Sequence, residues 1–144
     1  MECVRGTCVA VDDSGILLRG PSGAGKSDLT LRLMALGGRL VADDYTCVVR
    51  CGDALRASSP ESLSGLLEVR GLGIICVDAQ GEVPLVAVVD LVPRKMVERM
   101  PSGEAEQLLG VSLPRFRLFA FESSAAAKVK LVAGIALGRV TRRS

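Results

Sequence analysis

The 144-residue sequence contains no histidine. A Ser-His-Asp triad, a histidine-ligated zinc site and an imidazole general base are therefore excluded. Neither sign of charge is in large excess, because 18 basic residues against 16 acidic ones leave a net charge of +2. So small an excess does not indicate a general nucleic-acid or membrane-surface binder. We therefore expect neither nucleic acid nor membrane as a partner.

Cysteines are few, and long apolar runs are missing. The five cysteines are an odd number without a Cys-x-x-Cys pair, which argues against a disulfide framework or a zinc ribbon. We expect them to be buried small apolar residues in a reducing compartment. The N-terminus lacks the apolar core of a signal peptide, and no segment reaches the ~20 apolar residues of a membrane span. These absences predict a cytoplasmic protein.

The composition that remains is that of a globular chain. Hydrophobic residues make up 49% of the sequence and charged residues 24%, which excludes a disordered, charge-driven chain. A chain of this length can bury one substantial core and is too short for two ordinary domains with a linker. We predict a single domain over residues 1–144.

Turn residues divide the chain into short segments that predict an α/β fold with a mixed sheet. A β-hairpin over 46–50 and 54–57 makes the sheet mixed, and the apolar run 85–92 indicates a strand buried on both faces. The remaining predicted strands are 7–11, 16–19, 39–42, a glycine-punctuated region over 65–77, and 115–119. The predicted helices are 28–36, 94–100, 104–109 and 124–137, followed by a frayed tail over 141–144.

Eight residues between the strand 16–19 and the helix 28–36 match the pattern G-x-x-x-x-G-K-[ST]. They are Gly20, Pro21, Ser22, Gly23, Ala24, Gly25, Lys26 and Ser27. In such a loop the glycines permit a tight turn, the backbone N–H groups point at phosphate oxygens, and the following helix adds its positive end. Lys26 would reach the β- and γ-phosphates, and the Ser27 hydroxyl would complete a magnesium shell. The motif predicts a site for ATP and Mg²⁺.

Three acidic positions compete for the metal and for the acceptor's proton. Asp43 and Asp44 end the strand 39–42, which also fits a simple strand-end turn. Glu68 lies beside Arg70 in a glycine-rich segment, where the two also fit a surface ion pair. Asp90 follows an apolar strand in the manner of a Walker B carboxylate, which also fits a capping role. Metal binding and proton transfer both call for a carboxylate, so these residues alone leave the three alternatives open.

Three segments together resemble the catalytic domain of HPr kinase/phosphorylase. They are 20–27, then 39–44 with the sequence RLVADD, and 66–75 with the sequence LLEVRGLGII. The third is the family's signature and is far more specific than a phosphate loop. The resemblance covers about residues 4–113 and is to the short form without an N-terminal domain. It implies a P-loop nucleotide-binding fold with a mixed sheet, of the type shared with phosphoenolpyruvate carboxykinases.

The resemblance also implies a function. The family phosphorylates a serine of the phosphocarrier protein HPr with ATP and removes the phosphate again by phosphorolysis. By matching position, Asp44 corresponds to the proton acceptor, Lys26 to the phosphate-binding lysine, and Arg70 belongs to the segment used in both reactions. Ser27 and Glu68 correspond to the magnesium ligands. An HPr-type phosphocarrier protein is the implied partner, and a homo-oligomer, hexameric in the family's long form, the implied assembly.

The sequence departs from the family at two places. Arg5 stands where the family has a histidine, and residues 118–124 contain no arginine where the family has an arginine-rich loop. Missing cations near a phosphate argue against the phosphorolysis reaction. Under the resemblance Asp90 becomes a strand-end residue. The alternative functions are a nucleotide-binding regulatory module with altered or lost catalysis and another P-loop kinase or NTPase.

Overall fold

The computed structural model describes residues 1–143, which form strands, two α-helices and two short 3-10 turns. The strands are β1 (Glu2–Arg5), β2 (Thr7–Val11), β3 (Ser14–Arg19), β4 (Arg39–Ala42), β5 (Tyr45–Cys51), β6 (Ala54–Ser58), β7 (Leu66–Val69), β8 (Gly73–Cys76), β9 (Val83–Leu91), β10 (Glu104–Leu108) and β11 (Val111–Leu118). The helices are α1 (Lys26–Ala35) and α2 (Ala125–Ala136). Over the described range, neither helix combines the length and apolarity needed to cross a membrane.

Nine of the strands form one mixed sheet, in which seven follow the order β1-β5-β6-β9-β3-β2-β4 and β10 and β11 branch from β9. β9 runs parallel to β3 along one edge, and its C-terminal half runs parallel to β11 along the other edge. On that second edge, the N-terminal half of β9 pairs antiparallel with β6. β10 in turn pairs antiparallel with β11. The sheet therefore divides at β9 and curls. The mixed α/β class predicted from the hairpins is confirmed.

The two faces of the sheet carry two different cores. Leu18 and Val89 face both helices, whereas Leu17 and Val88 face the concave side formed by the curl. All four side chains are fully buried, because neighbouring residues of a strand point to opposite faces and each face is covered. The prediction that β9 is buried on both faces is confirmed.

A separate two-stranded hairpin, β7–β8, packs beside the main sheet. Leu67 and Val69 of β7 form a small core with Leu40 of β4, and Leu31 and Met34 of α1 pack against it. The alternate residues of β7, which include Glu68, consequently face away from β4 and α1.

Two predicted helices are wrong. Residues 94–100 contain only a 3-10 turn over Arg94–Met96, and residues 104–109 are the strand β10. Leu109 and Gly110 have positive φ angles of 49° and 78° and join β10 to β11 as the two-residue turn of a hairpin. Pairing through this turn outweighs the intrinsic helix preference of the Glu-Ala-Glu-Gln-Leu sequence. The strand β1 was not predicted at all.

The expectation that all five cysteines are buried is also wrong. Cys8 and Cys47 are buried, but Cys3, Cys51 and Cys76 are exposed, because they lie on the outward side of edge strands or at a strand end. Burial raises the pKa of the Cys8 thiol to about 12. Cys3 and Cys47 are paired across β1 and β5, with their sulfur atoms 3.0 Å apart. The hydrogen bond between Cys47 and Cys3, together with burial, raises the pKa of the Cys47 thiol.

We predict that the slowest-exchanging backbone amides are those of Val88 and Val89. Both lie in the strand that is paired on its two edges and covered on its two faces, so they exchange only when the whole fold opens. Amides of β10 lie at an outer edge and should exchange about 100-fold faster or more. Native-state hydrogen exchange followed by NMR measures both, and equal protection of β9 and β10 would contradict this account.

Candidate active site

The carboxyl ends of four strands meet at one edge of the sheet. β3 and β4 are both antiparallel to β2 and therefore parallel to each other, and β9 and β11 are parallel to β3. The segments that follow these strands thus leave the sheet at the same edge. In open α/β sheets this is where ligands bind. We refer to it as the carboxyl edge.

The loop 20–25 lies at the centre of the carboxyl edge, between β3 and α1. Gly23 and Gly25 have positive φ angles of 87° and 102°, which favour glycine. A Cβ atom on Gly25 would also lie only 2.7 Å from the Cβ atom of Ala120. The predicted order of strand, glycine-rich loop and helix is confirmed, with α1 beginning at Lys26, two residues earlier than predicted.

Lys26 folds back over this loop. Its Nζ atom donates to the carbonyl oxygen of Gly20 at 2.5 Å and lies 3.4 Å from that of Pro21. The N-terminus of α1 has no side-chain cap, so its first N–H groups are left without a side-chain acceptor. Ser27, half-buried in the first turn, adds a hydroxyl there. Lys26 and Ser27 thus both lie where the loop 20–25 meets α1, and an uncapped helix N-terminus with a neighbouring ammonium suits an anion.

The acidic pair after β4 divides into two different roles. Asp43 accepts a hydrogen bond from the Thr7 hydroxyl at 3.1 Å and one from the backbone N–H of Glu68 at 3.2 Å. Its carboxylate therefore ties β2 and the β7–β8 hairpin to the end of β4. The backbone of Asp44 is held at a φ of +66°, with its N–H donating to Thr7 Oγ1 and its carbonyl oxygen accepting from Gly6.

The side chain of Asp44 is half exposed at the carboxyl edge. Its Oδ1 atom lies 3.5 Å from a guanidinium nitrogen of Arg5, itself an exposed side chain. An exposed pair of this length contributes little to stability. The strained backbone is fixed by hydrogen bonds while the carboxylate remains accessible, which is the pattern of a group available to a ligand.

Glu68 lies on the outward face of β7, opposite the buried Leu67 and Val69, and Arg70 directly follows the end of this strand. Both are exposed, and no ion pair joins them within residues 1–143. The alternative of a surface ion pair is therefore wrong. The backbone of Glu68 lies against Asp43, which brings Glu68 to the same corner as Asp44, whereas Arg70 lies further out in the hairpin turn.

Asp90 belongs to a separate ion network that joins β3, β9, β10 and β11. Its two carboxylate oxygens accept from Arg19 at 2.7 Å and from Arg115 at 2.5 Å, and Arg19 also binds Glu106 at 2.7 Å. Partial burial alone would raise the pKa of Asp90, but hydrogen bonds from the two guanidinium groups lower it below its ordinary value. With both oxygens occupied by cations, Asp90 is suited to holding strands together rather than to binding a metal.

The segment after β11 is attached to α1 by Arg32. This side chain donates to the carbonyl oxygens of Ala120 and Glu122 and pairs with Asp28 on its own helix. The attachment places Phe121 against Gly25. Ala120 and Phe121 thus border the loop 20–25 at Gly25, whereas Arg115 pairs with Asp90 rather than with this segment.

Sequence reasoning missed three positioning residues at this edge: Thr7, Asp43 as distinct from Asp44, and Arg32. The partners that fix the carboxyl edge lie 25 to 90 positions away along the chain. Local pattern carries no signal for such pairs. The one available signal, the spacing of Asp28 and Arg32 by four residues on a helix, indicates only their mutual ion pair.

The model of the family described as HPr serine kinase C-terminal domain matches residues 1–129. The HPr kinase/phosphorylase of Clostridium novyi (strain NT) is 46% identical over 76 residues, which are 53% of this chain and 25% of that protein. The HPr kinase/phosphorylase of Xanthomonas campestris pv. campestris (strain B100) is 38% identical over 116 residues, 76% of this chain and 36% of that protein. The chain thus spans only about a quarter to a third of these relatives' lengths.

A solved structure has the same fold. The structure titled Hpr(Ser) kinase/phosphatase from Coxiella burnetii superimposes with a TM-score of 0.85 at 21% sequence identity. The match covers 96% of this chain and 98% of that chain. At this identity the likeness shows the fold, including the curled mixed sheet.

We predict that Asp90→Asn lowers the free energy of unfolding by about 1–3 kcal/mol, because it leaves two partly buried guanidinium groups without their carboxylate. The stabilisation from Asp90 is full above its unfolded pKa of about 3.9, and it is lost as the pH falls through the lowered folded value. The difference in the free energy of unfolding between wild type and Asp90→Asn should therefore shrink as the pH falls. Urea unfolding at pH 7 and pH 3 measures it.

Asp53→Asn is the matched control, because Asp53 is fully exposed and its pair with Arg50 is 3.9 Å long. It should leave the unfolding midpoint unchanged. Equal stabilities of Asp90→Asn and wild type at pH 7 would contradict the structural role of Asp90.

Proposed function

The chain belongs to the HPr serine kinase C-terminal domain family, and from this premise we propose that it transfers a phosphoryl group from ATP to a serine of an HPr-type phosphocarrier protein. One observation carries the proposal beyond family membership. The loop before Lys26 follows β3 and Asp44 follows β4, and both strands end at the same edge of the sheet. Phosphoryl transfer to a hydroxyl requires the phosphate-binding group and the proton acceptor on the same side of the protein.

In this proposal the phosphates of ATP lie in the loop 20–25 at the N-terminus of α1. The uncapped N–H groups of the first turn and the Lys26 ammonium supply positive charge. Lys26 exchanges its hydrogen bonds to the loop carbonyls for phosphate oxygens. Because the transition state is loose, the residues of this chain contribute mainly position and charge compensation.

The Ser27 hydroxyl and the exposed Glu68 carboxylate are oxygen ligands of the kind that Mg²⁺ takes. Magnesium in phosphoryl-transfer sites usually takes one or two protein oxygens and fills its shell with water and phosphate, so a full protein cage is not needed. Residues 1–143 contain no group of three or more Asp, Glu or Cys side chains arranged for a metal. The Ser27 hydroxyl and the Glu68 carboxylate would hold the ion. When bound, it supplies positive charge to the β- and γ-phosphates.

Asp44 is the proposed proton acceptor. As the serine oxygen forms its bond to the γ-phosphorus, the serine proton passes to a carboxylate oxygen of Asp44. The bond between the γ-phosphorus and the bridging oxygen breaks at the same time, and ADP leaves. The half-exposed carboxylate and the hydrogen-bonded backbone of Asp44 support this role. Arg70, exposed in the adjacent hairpin turn, is proposed to assist the transferred phosphate.

The surface beside this corner supports a protein acceptor over a small molecule. Leu72 and Ile74, at the turn of the β7–β8 hairpin, are each 71% exposed. Large apolar side chains exposed next to a reactive group are typical of a protein-docking surface. Assembly of several copies, which the resemblance implies, stays a prediction that sedimentation velocity tests.

A second candidate function is a nucleotide-binding regulatory module without transfer. It is favoured by the guanidinium of Arg5, which occupies the Asp44 carboxylate at 3.5 Å, and by the absence of arginine from the segment 118–124. Binding of ATP by the wild type without phosphorylation of HPr would favour this function. Transfer to HPr, followed by mass spectrometry, would exclude it.

We predict that Lys26→Ala weakens ATP binding tenfold or more, because it removes a charge-assisted contact to the phosphates. Isothermal titration calorimetry measures the affinity. Lys130→Ala is the matched control, since Lys130 is an exposed lysine of α2, and it should bind ATP as the wild type does. An unchanged affinity of Lys26→Ala would remove the phosphate-loop assignment.

We predict that Asp44→Asn keeps ATP affinity within a few-fold and lowers phosphoserine formation on HPr about 10²–10⁴-fold, the usual contribution of a general base. Asp53→Asn, at an exposed position away from the carboxyl edge, should retain the full rate. Mass spectrometry of HPr after timed incubation with ATP measures the rate. If Asp44→Asn transfers normally while a folded Asp90→Asn does not, the carboxylate assignment is wrong.

A further inference from the structure

We infer that the ring of Phe121 is the platform on which the nucleotide base stacks. The inference rests on the proposed function, because a base is present only when ATP is the ligand. It adds a binding residue on the side of the phosphate loop opposite to Asp44. Neither the nucleotide motif nor the carboxylates point to this segment.

The order of the strands sets the direction in which the nucleotide lies. Along the carboxyl edge, the phosphate loop after β3 is flanked by β2 and β4 on one side and by β9 and β11 on the other. Asp44 follows β4, so the γ-phosphate must be directed to that side to meet the acceptor. The base, at the other end of the nucleotide, then extends toward the segments that follow β9 and β11. Phe121 follows β11.

Phe121 lies close enough to the phosphate loop to contact the base of a nucleotide bound there. A Cβ atom on Gly25 would lie 3.1 Å from its ring atom Cζ, so the ring borders the phosphate loop itself. The side chain is nevertheless 55% exposed. The chain has one tyrosine, three phenylalanines and no tryptophan. An aromatic ring that is exposed to solvent beside a phosphate site is typical of a ligand-binding surface.

The ring is also held in place from behind. Arg32 binds the carbonyl oxygens on both sides of Phe121, those of Ala120 and Glu122. Phe119 meets the ring edge to face, with centroids 5.8 Å apart and planes at 68°. The guanidinium of Arg94 lies over Phe119, 4.7 Å from its centroid. A platform fixed before binding loses little freedom when a base stacks on it.

The available chemistry at this platform is stacking. The Glu122 carboxylate is occupied by Lys128 and Arg94, and Arg32 is occupied by backbone carbonyls and Asp28. Stacking of a base on an aromatic side chain is sufficient for a measurable effect, since its removal typically weakens binding about 5- to 150-fold. The contribution is expected for ATP and absent for inorganic tripolyphosphate, which has no base.

The test compares ATP with tripolyphosphate on the full chain by calorimetry. Phe121→Ala should weaken ATP binding about 5- to 150-fold and leave tripolyphosphate binding unchanged. Lys26→Ala should weaken both ligands, because it acts on the phosphates. Phe121→Ala truncates an exposed side chain, and its thermal unfolding midpoint verifies that the variant folds.

A second measurement uses the absence of tryptophan. In Phe121→Trp the indole is the sole tryptophan of the chain, and its fluorescence should be quenched by ATP but not by tripolyphosphate. Leu131→Trp is the matched control, because Leu131 is 53% exposed on α2 and does not border the loop. Its fluorescence should not respond to either ligand.

The outcomes separate this inference from the function on which it rests. If Phe121→Ala binds ATP as tightly as the wild type, or loses ATP and tripolyphosphate equally, the base platform is overturned while the phosphate site stands. Equal quenching of Phe121→Trp and Leu131→Trp overturns it as well. If the wild type binds neither ligand, the proposed function and the platform fall together.

Discussion

The parallel pairing of β9 with β3 on one edge and with β11 on the other is the constraint on which the site depends. It aligns the carboxyl ends of three strands, and β2 brings β4 into the same direction from the far side of β3. Chain segments from distant parts of the sequence therefore reach one edge. The register is secured by complete burial of Leu17, Leu18, Val88 and Val89, since a slip by one residue would exchange the two cores.

Aspartate has three different functions at this edge, and the surroundings of each decide which one. Asp90 accepts hydrogen bonds from Arg19 and Arg115 and so links β9 to β3 and β11. Asp43 accepts from Thr7 and from the backbone of Glu68 and fixes a hairpin. The backbone of Asp44 is held by hydrogen bonds, and its half-exposed carboxylate has one long contact, 3.5 Å to the exposed guanidinium of Arg5, so it remains accessible to a ligand. Charge alone does not distinguish them; the number of hydrogen bonds and ion pairs that each carboxylate already accepts does.

Much of this arrangement could be predicted from the sequence, where the causes are local. The short apolar segments of β2 and β3, the apolar run of β9 and the glycine-rich loop before α1 each carry their own signal, and the structure has these elements. The helix predicted over 104–109 failed because the decisive feature is the pairing of β10 with β11 through Leu109 and Gly110, which overrides residue preference. The exposure of three cysteines depends on which strands lie at edges, and the sequence does not specify edges. The three carboxylate positions could be proposed but not ranked by residue chemistry, because their partners come from remote strands.

The close approach of Gly25 to Ala120 restricts how this fold can diverge. Ala120 is 1% exposed and its methyl group occupies the space that a side chain at position 25 would need. Enlarging either residue pushes the two segments apart, and the segment after β11 is also fastened to α1 by Arg32. Homologues that carry a bulkier residue at position 120 should therefore show a shifted or lengthened segment after β11. The composition of one loop sets a steric limit on the evolution of the other.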